Sequence, residues 1–488
     1  MSIEGASMRD AYELSSRRHF LAQNALGISS LGLTSLMMRN TASAAPAKPS
    51  LEPVEYNLLP KTPHHEPRAK AMISVFTGGG PSHLDLFDYK PLLEKYANQK
   101  FPGKDIKYDN AGQATSLVLP TPWKFSRHGE SGMEINAELL PHFAEIVDDV
   151  TLIRSMHLPD IRNHVAGMRA LTTGRGREGW PALGSWLVYG LGAETDNLPA
   201  FVALILRSDP PGSPFWDNRH LPSIYQGTIV REQRPRIANL DPPQHMLGNA
   251  QQRQIDLLQQ LNQAHLQEHP GEQDLSARIA SYELAARMQT AATEALDLKR
   301  ESQATHELYG TGDKLCASMA EACLLARRFV ERGVRFVQIW NYAWDMHENI
   351  FAALEGACPR VDKPCAALVT DLKQRGLLDS TIVQWGGEMG RLPVVQDRGE
   401  GRKPGRDHNT EGFSIWMAGG GLKSGHVHGA TDEFGHRAVE DIVTQHDFHA
   451  TLLHQMGLDH TTFAHVANGQ QVALVEPGKG QVIDKILA

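Results

Sequence analysis

The sequence predicts an α/β protein, a three-layer α/β/α sandwich built on a mostly parallel sheet. Three observations support this fold class. Short apolar runs alternate along the chain with segments of helical composition. The run at 71–76 shows no polar alternation, which is typical of a strand covered on both faces. Glycines follow the predicted strands closely, at 78–80 and at 419–421.

The alternation of elements is clearest in the second half of the chain. Helices are predicted at 315–332, 364–374 and 445–456, and strands at 334–340, 381–385 and 413–418. In the first half, strands are predicted at 71–76, 150–155 and 200–206. Helical segments are predicted just before 150 and at 182–191.

One stretch interrupts this pattern. Residues 207–250 are rich in Pro, Arg and Gln, and 251–304 consist mostly of strong helix formers. We therefore predict a helical and irregular insertion at about 207–304. No repeat of 20–50 residues is visible, which argues against solenoids and propellers.

Size and charge narrow the class of protein. The chain has 488 residues, of which 41% are apolar, and a net charge of −8. One α/β domain with an insertion can reach this length. No basic block is long enough to follow a phosphate backbone, so nucleic acid is not an expected partner.

The N-terminus resembles an export signal. Residues 16–21 read SRRHFL, a twin-arginine pattern, and a mildly apolar run follows at 21–38. A small-x-small cleavage site ends at Ala44. We predict a twin-arginine signal peptide at 1–44, a linker or arm at 45–70 and the main domain at 71–488. The alternative for the first segment is an amphipathic helix.

This leader predicts a compartment and a partner. The mature protein is expected in the periplasm or outside the cell, delivered by the twin-arginine export machinery. No later run reaches the roughly 18 apolar residues of a membrane span. The four cysteines, at 316, 323, 358 and 365, do not have zinc-ligand spacing. One or two disulfides and buried free thiols are both compatible with them.

Polar side chains gather where the predicted strands end. Carboxylates and histidines that converge on one point can bind a divalent metal ion. The core of the predicted set is Asp345, His347, Glu388 and His408. Each of these residues also suits an ordinary turn or helix cap. The absence of cysteine ligands argues against a structural zinc. Further candidates are Ser82, His83, Asp85, Asn163, His164, Arg391, His446 and His449.

Several long motifs resemble the DUF1501 family. They are GGGPSHLD at 78–85, WDMH at 344–347, GLLDST at 376–381, WGGEMGR at 385–391, GRDHN at 405–409, GATDEFG at 429–435 and HDFHAT at 446–451. The resemblance runs from about residue 71 to the C-terminus. DUF1501 proteins are in turn similar to the alkaline phosphatase/sulfatase superfamily, which implies an alkaline phosphatase-like sandwich with metal at the strand ends.

The resemblance implies roles for single residues. It places Asp345 and His347 at an Asp/His ligand pair, Glu388 near an Asp-His-Gly ligand motif and His408 near the last histidine ligand. The first-strand aspartate ligand is missing. Its substitutes would be among Ser82, His83 and Asp85, with His83 and Asp85 as the predicted metal ligands.

The position of the superfamily's Ser, Thr or Cys nucleophile falls on His164, next to Asn163. A covalent enzyme intermediate of the usual kind is therefore not expected. We predict His164 as catalytic, through an adduct on nitrogen unless water attacks directly. Arg391 is predicted to clamp the oxygens of the transferring group. Ser82, Asn163, His446 and His449 are predicted to bind substrate.

Two functions remain open from the sequence. The first is an exported hydrolase of sulfate or phosphate esters, small-molecule or glycan, with zinc, manganese, calcium or iron as its divalent metal. The second is a non-catalytic protein that binds sulfated or acidic glycans on the same fold, because fold alone does not determine function.

Overall fold

The computed structural model of the chain describes residues 56–103, 106, 108, 114–206, 215–238, 240, 249–268, 273–396, 399, 401–467 and 469–488. The predicted signal peptide at 1–44 and the first part of the predicted arm lie outside these residues. From Lys61 to Ala69, the arm forms backbone hydrogen bonds with Leu191, Gln455 and Gly457.

The strands of the described chain are β1 Ala71–Gly78, β2 Ala114–Val118, β3 Ser126–His128, β4 Met133–Ile135, β5 Val150–His157, β6 Phe201–Ile205, β7 Thr228–Arg231, β8 Phe336–Tyr342, β9 Thr381–Gly386, β10 Gly390–Arg391, β11 Val394–Gln396, β12 His408–Asn409, β13 Phe413–Ala418, β14 His426–His428, β15 Ala430–Thr431, β16 Ala438–Glu440, β17 Val443–Thr444, β18 His465–Ala467 and β19 Gln470–Val472. The helices are α1 His83–Leu86, α2 Pro91–Lys95, α3 His164–Thr173, α4 Leu183–Leu191, α5 Asn249–Glu268, α6 Gln273–Leu296, α7 Gln303–Tyr309, α8 Ala317–Glu331, α9 Ile350–Gln374 and α10 Gln445–Gln455.

A nine-stranded sheet forms the centre of the molecule. Its order is β14-β5-β13-β9-β1-β8-β6-β7, and β17 also pairs with β5. The pairs of β1 with β8 and β9, and of β6 with β7 and β8, are parallel. Strand β13 runs antiparallel to both β5 and β9. The sheet is therefore mostly parallel, as predicted.

The sheet is covered on both faces. In β1, Ile73 and Val75 pack into a core shared with α6, α8 and α9. The alternate residues Met72 and Phe76 pack into a second core shared with α3, α4 and α10. Successive side chains of a strand point to opposite faces, so the two cores are the two faces of one sheet. The predicted three-layer α/β/α class is confirmed.

Three local predictions were wrong. Helix α9 begins at Ile350 instead of 364, because Pro359 and Pro364 lie inside it and do not start it. The stretch before β5 contains the short 3-10 turns Phe143–Glu145 and Val147–Asp149 instead of an α-helix. Strand β7, inside the predicted insertion, extends the main sheet by pairing with β6. The predicted helical part of the insertion consists of the two long helices α5 and α6.

The direction of β13 matters for the site. Strands β1, β5, β8 and β9 bring their carboxyl ends to one edge of the sheet. Because β13 is antiparallel, Phe413 at its beginning pairs with Met156 near the end of β5. The segment that precedes β13 therefore reaches the same edge, where ligands of α/β proteins usually bind.

Two further findings bear on the predictions. No helix in the described part of the chain is long and apolar enough to cross a membrane. The four cysteines are all buried and carry free thiols. Of the two cysteine states left open by the sequence, the structure therefore has the buried free thiols.

Candidate metal centre

Four side chains meet at the carboxyl edge of the sheet: His164, Asp345, His347 and His408, called here the histidine cluster. One ligand atom from each lies within 4.8 Å of all the others. Oδ1 of Asp345 lies 3.0 Å, 2.7 Å and 3.4 Å from Nε2 of His164, His347 and His408, respectively. Such a group of imidazoles and one carboxylate could hold a metal ion.

Different elements deliver these side chains. His164 is the first residue of α3, whose start is capped by the side chain of Asn163 through the Ala166 N–H. Asp345 and His347 lie in the loop after β8, and His408 lies in β12. Residues distant in sequence thus converge because their strands end at one edge.

The loop after β1 passes close behind the cluster. Gly79 has φ +108°, and a Cβ there would lie 2.5 Å from the backbone nitrogen of Asp345. Only glycine fits this close approach without strain. The glycine run that marked the end of the first predicted strand is therefore required by the packing around Asp345.

The other ring nitrogen, Nδ1, of each histidine in the cluster also has an oxygen partner. Nδ1 of His164 lies 2.6 Å from Glu388 Oε1, and Nδ1 of His347 lies 2.5 Å from Gln396 Oε1. Nδ1 of His408 lies 3.1 Å from the backbone oxygen of Arg162. These acceptors orient the three rings so that Nε2 points inward, an arrangement that is typical of metal-binding histidines.

The histidine rings of the cluster have too few N–H protons for the oxygens around them, which supports a bound cation. Every ring has an oxygen acceptor beside each nitrogen, but a neutral imidazole carries only one N–H. One nitrogen of each neutral ring therefore turns its lone pair toward an oxygen. Extra protons would remove this repulsion, and so would a cation among the Nε2 atoms and Asp345. A single divalent ion satisfies all three rings at once, so the donor set fits a metal.

Without metal, the neighbouring charges control protonation. Burial lowers the pKa of His164, but the carboxylates of Asp345 and Glu388 outweigh burial and raise this pKa to about 9. Burial is the main reason that the pKa of His408 is lowered. Burial would raise the pKa of Asp345, but the three histidines and Arg391 hold it below its usual range. Asp345 is thus ionised, as a metal ligand must be.

Glu388 was predicted as a ligand, but it lies behind the cluster. Its side chain is fully buried, and Oε1 accepts hydrogen bonds from the Gly79 N–H at 3.0 Å and from His164 Nδ1. Its other oxygen, Oε2, has no hydrogen-bond partner among the described residues. Glu388 therefore contacts His164 through Nδ1, on the side of the ring away from the cluster, and its predicted role as a ligand stays a prediction.

Arg391 was predicted to clamp substrate oxygens, and the contacts recorded for its side chain lie within the protein. The side chain is fully buried. It donates to the backbone oxygens of Gly80, Trp344 and Arg406 at 2.9 Å, 3.0 Å and 3.2 Å, and also to that of Gly79. It also donates to Asp345 Oδ1 at 2.8 Å. These contacts hold the guanidinium against Asp345, and the predicted contact of Arg391 with substrate stays a prediction.

The candidates after β1 form a separate, closed group. Asp85 and Arg406 are both fully buried and joined by two hydrogen bonds of 2.9 Å and 3.1 Å, with Ser82 donating to Asp85 at 2.5 Å. His83 is bound to the backbone oxygen of Gly435 at 2.8 Å. None of these three candidates, Ser82, His83 and Asp85, joins the histidine cluster. Arg406 neutralises the carboxylate of Asp85, and the ligand roles of His83 and Asp85 stay predictions.

The remaining candidates also have structural partners. Asn163 caps α3, as described above. Nε2 of His446 lies 3.5 Å from Glu476, and Nε2 of His449 lies 2.8 Å from the backbone oxygen of Leu171. Their predicted substrate contacts stay predictions.

Sequence reasoning missed two features of the site. It assigned His164 to catalysis and did not consider it as a ligand, although its position after a strand end was known. It did not identify Gln396, because an isolated glutamine in a short strand carries no recognisable signal.

The fold and the site define a class: a mostly parallel α/β/α protein with a His/Asp cluster at the strand ends that could bind metal. The chain belongs to the DUF1501 family, described as proteins of unknown function, whose profile matches residues 69–487. The predicted family is confirmed. No curated protein matches the sequence.

Solved structures with a similar fold include several hydrolases. A sulfatase from Pseudoalteromonas sp. is 14% identical, with 80% of this chain and 68% of that chain covered and a TM-score of 0.34. A phosphonate monoester hydrolase from Silicibacter pomeroyi is 11% identical, with 68% and 71% covered and a TM-score of 0.32. An alkaline phosphatase from the Antarctic bacterium TAB5 is 10% identical, with 72% and 92% covered and a TM-score of 0.31. These values are too low to transfer an activity to this chain.

Proposed function

We propose that this chain is an exported, metal-dependent hydrolase of sulfate or phosphate esters of a small molecule or a glycan. The observation that carries the proposal is the convergence of three Nε2 atoms on the carboxylate of Asp345. The side chain of Asp345 remains 29% exposed, so an ion bound there would be accessible to a substrate. The choice of ester follows from the sequence resemblance to the alkaline phosphatase/sulfatase superfamily.

The donor set limits the choice of metal. Three imidazoles and a carboxylate suit zinc, manganese and iron. They disfavour calcium, which prefers oxygen ligands, so calcium is not among the metals that we propose. Four protein ligands would complete a tetrahedral zinc site. An ion that accepts five or six ligands keeps a position for the substrate, which favours manganese or iron.

In the proposed reaction, water attacks the sulfur or phosphorus atom, and the ester oxygen leaves with its bonding electrons and gains a proton. The products are an alcohol and sulfate or phosphate. A bound ion would polarise the ester and lower the pKa of the attacking water. Arg391 keeps Asp345 in place, while Glu388 and Gln396 keep the rings of His164 and His347 aimed at one point. Fixed ligands reduce the reorganisation that the reaction requires.

The proposal includes no Ser, Thr or Cys nucleophile. The sequence has His164 at the position expected for that residue, and both ring nitrogens of His164 face carboxylates. A nitrogen that contacts a metal cannot also form a covalent adduct. We therefore prefer direct attack by water over the adduct on His164.

Metal content and turnover test the hydrolase. The protein is purified without added metal and its metal content measured. It is then assayed with 4-nitrophenyl sulfate and 4-nitrophenyl phosphate, before and after chelation and after manganese, iron or zinc is restored. We expect bound metal and turnover that chelation abolishes and metal restores.

Absence of both metal and chelator-sensitive turnover would contradict the hydrolase. Thermal-shift measurements with sulfated glycans then decide on the alternative. Metal-independent stabilisation by a glycan, without turnover, would support the non-catalytic binding protein. The surface variant His128→Ala serves as the control in both assays.

Export is a separate part of the proposal and rests on the SRRHFL segment at 16–21. The double substitution Arg17→Lys and Arg18→Lys keeps the charge but removes the twin-arginine pair. We expect the protein to accumulate in the cytoplasm after this change, while the wild type is recovered from the periplasm or the medium. Equal distribution of both proteins would contradict twin-arginine export.

A further inference from the structure

An exposed aromatic side chain lies beside the histidine cluster. Tyr342 is the last residue of β8, three positions before Asp345, and 36% of its surface is exposed. The centroid of its ring is 6.4 Å from that of His164, with the rings at 81°. Tyr342 and Asp345, whose side chain is 29% exposed, are thus both partly open to solvent beside His164.

The ring of Tyr342 is fixed from behind. It stacks on Trp340 with centroids 6.0 Å apart and planes at 21°. Trp340 stacks in turn on Phe76, at 5.6 Å and 21°. A Cβ at Gly78 would come within 2.9 Å of the Tyr342 ring and 2.7 Å of Trp340. A tyrosine held in this way can bind a flat surface with little loss of side-chain freedom.

The hydroxyl of Tyr342 forms no hydrogen bond with any residue in the described part of the chain. By contrast, the buried Tyr309 donates to Asp371 at 3.0 Å. Tyr342 thus combines a supported ring, an exposed surface and an unused hydroxyl at the edge of a candidate catalytic centre.

We propose that Tyr342 is a specificity-determining residue that stacks against a ring in the alcohol part of the ester. The substrates would be esters of ring-bearing alcohols, such as aryl or pyranose compounds, in preference to acyclic alkyl esters. This inference rests on the proposed hydrolase and names its substrate class. Flat apolar faces of sugars and aryl groups both suit an aromatic surface, so one test covers the shared chemistry.

Binding and turnover are measured separately. For binding, the metal-loaded protein is titrated with 2-phenylethylphosphonate and with n-butylphosphonate, which are not hydrolysed. We expect Tyr342→Leu to weaken binding of the phenylethyl compound about tenfold, as for the loss of one aromatic contact, and of the butyl compound less than about twofold. Tyr342→Phe keeps the ring and should retain the preference. Tyr282→Leu, at a tyrosine that is 74% exposed elsewhere, is the matched control.

For turnover, the corresponding 2-phenylethyl and n-butyl esters are compared. A stacking contact made equally in the ground state and the transition state raises KM when removed and leaves kcat nearly unchanged. We expect this pattern in Tyr342→Leu for the ring-bearing ester alone. Metal content should stay at the wild-type level in every variant.

The outcomes separate the two proposals. Ring-selective binding without any turnover would contradict the hydrolase and leave the role of Tyr342 standing. An equal loss for both compounds, no loss for either, or no binding of the phenylethyl compound by the wild type would overturn the role of Tyr342.

Discussion

Asp85 and Asp345 follow the neighbouring strands β1 and β8, and each accepts hydrogen bonds from a fully buried arginine. Around Asp85, the donors of Arg406 and Ser82 match the carboxylate oxygens, and neither Asp85 nor Arg406 is exposed. Around Asp345, three histidines and Arg391 crowd one oxygen, and 29% of the side chain is exposed. The charges of the first group are balanced, whereas the second group has more hydrogen-bond acceptors than protons.

This difference separates a structural ion pair from a candidate binding site. A buried charge is tolerated when a partner neutralises it, and such a pair has nothing left to bind. A group that has fewer protons than hydrogen-bond acceptors and is open to solvent can take up a cation. The two aspartates should therefore respond differently to mutation, in stability for one and in metal binding for the other.

The largest expected effect is on stability. Arg406→Met leaves Asp85 buried without its partner and should reduce the free energy of unfolding by about 3–5 kcal/mol. Chemical denaturation measures this. Metal bound per folded molecule should stay unchanged, since the side chain of Arg406 donates to Asp85 and to the backbone oxygen of Leu392, and neither belongs to the histidine cluster.

The exposed pair of Arg402 and Glu348 provides the control. Both side chains are largely exposed, at 55% and 44%. Such pairs contribute at most about 1 kcal/mol, so Arg402→Met should change stability little. An equal effect of the two arginine substitutions would mean that the buried pair of Arg406 and Asp85 contributes no more to stability than an exposed ion pair.

The reverse pattern is expected at the histidine cluster. His347→Ala removes one of four converging ligand atoms, so metal affinity should fall by more than about 100-fold, beyond the loss typical of an orienting residue. Metal analysis and a competition titration measure this. The metal-free variant should unfold at nearly the denaturant concentration of the metal-free wild type. Retained metal in His347→Ala would show that the cluster is not the binding site.

Glu388→Gln distinguishes a supporting carboxylate from a ligand. Glutamine keeps an oxygen for His164 Nδ1 but loses the negative charge. We expect metal affinity to fall about 10–100-fold, the range for a residue that orients a histidine ligand. A loss as large as that of His347→Ala would restore the role predicted from sequence, in which Glu388 binds the metal itself. No loss would remove Glu388 from the site.

The sequence predicted the fold class and the location of the site because both depend on local patterns. Apolar runs identified β1, β5, β8, β9 and β13, and parallel strands place their carboxyl ends at one edge. The polar residues after those strands were therefore expected to meet. Asp345, His347 and His408 do so.

The roles of the single residues at that edge were harder to predict, because they depend on side-chain contacts between residues that are distant in sequence. Nothing local distinguishes Asp85 from Asp345, since each follows a strand in a polar loop. Arg406, more than 300 positions away in sequence, closes the group at Asp85. Strand β7 was missed for a related reason: four residues in a proline-rich stretch carry little periodicity, although Thr228-Ile229-Val230 suits a strand.

The smallest predicted effect concerns His449, which the sequence placed among the substrate-binding residues. It is fully buried, and burial lowers its pKa to about 4. Unlike the rings of the histidine cluster, it faces one oxygen, that of Leu171, to which Nε2–H can donate, and its buried Nδ1 has no hydrogen-bond partner among the described residues. The folded protein therefore holds His449 neutral, whereas the unfolded chain takes up a proton below the ordinary pKa of 6.5.

The stability that His449 contributes is thus present above pH 6.5 and is lost as the pH falls toward 4. Between pH 7 and pH 5.5, His449→Gln should reduce the loss of unfolding free energy by about 1 kcal/mol, because glutamine can donate to Leu171 without titrating. Denaturation at the two pH values measures this, with His128→Gln on the surface as the control. An unchanged pH dependence in His449→Gln would mean that the pKa of His449 is the same in the folded and the unfolded chain, which would contradict the lowered pKa.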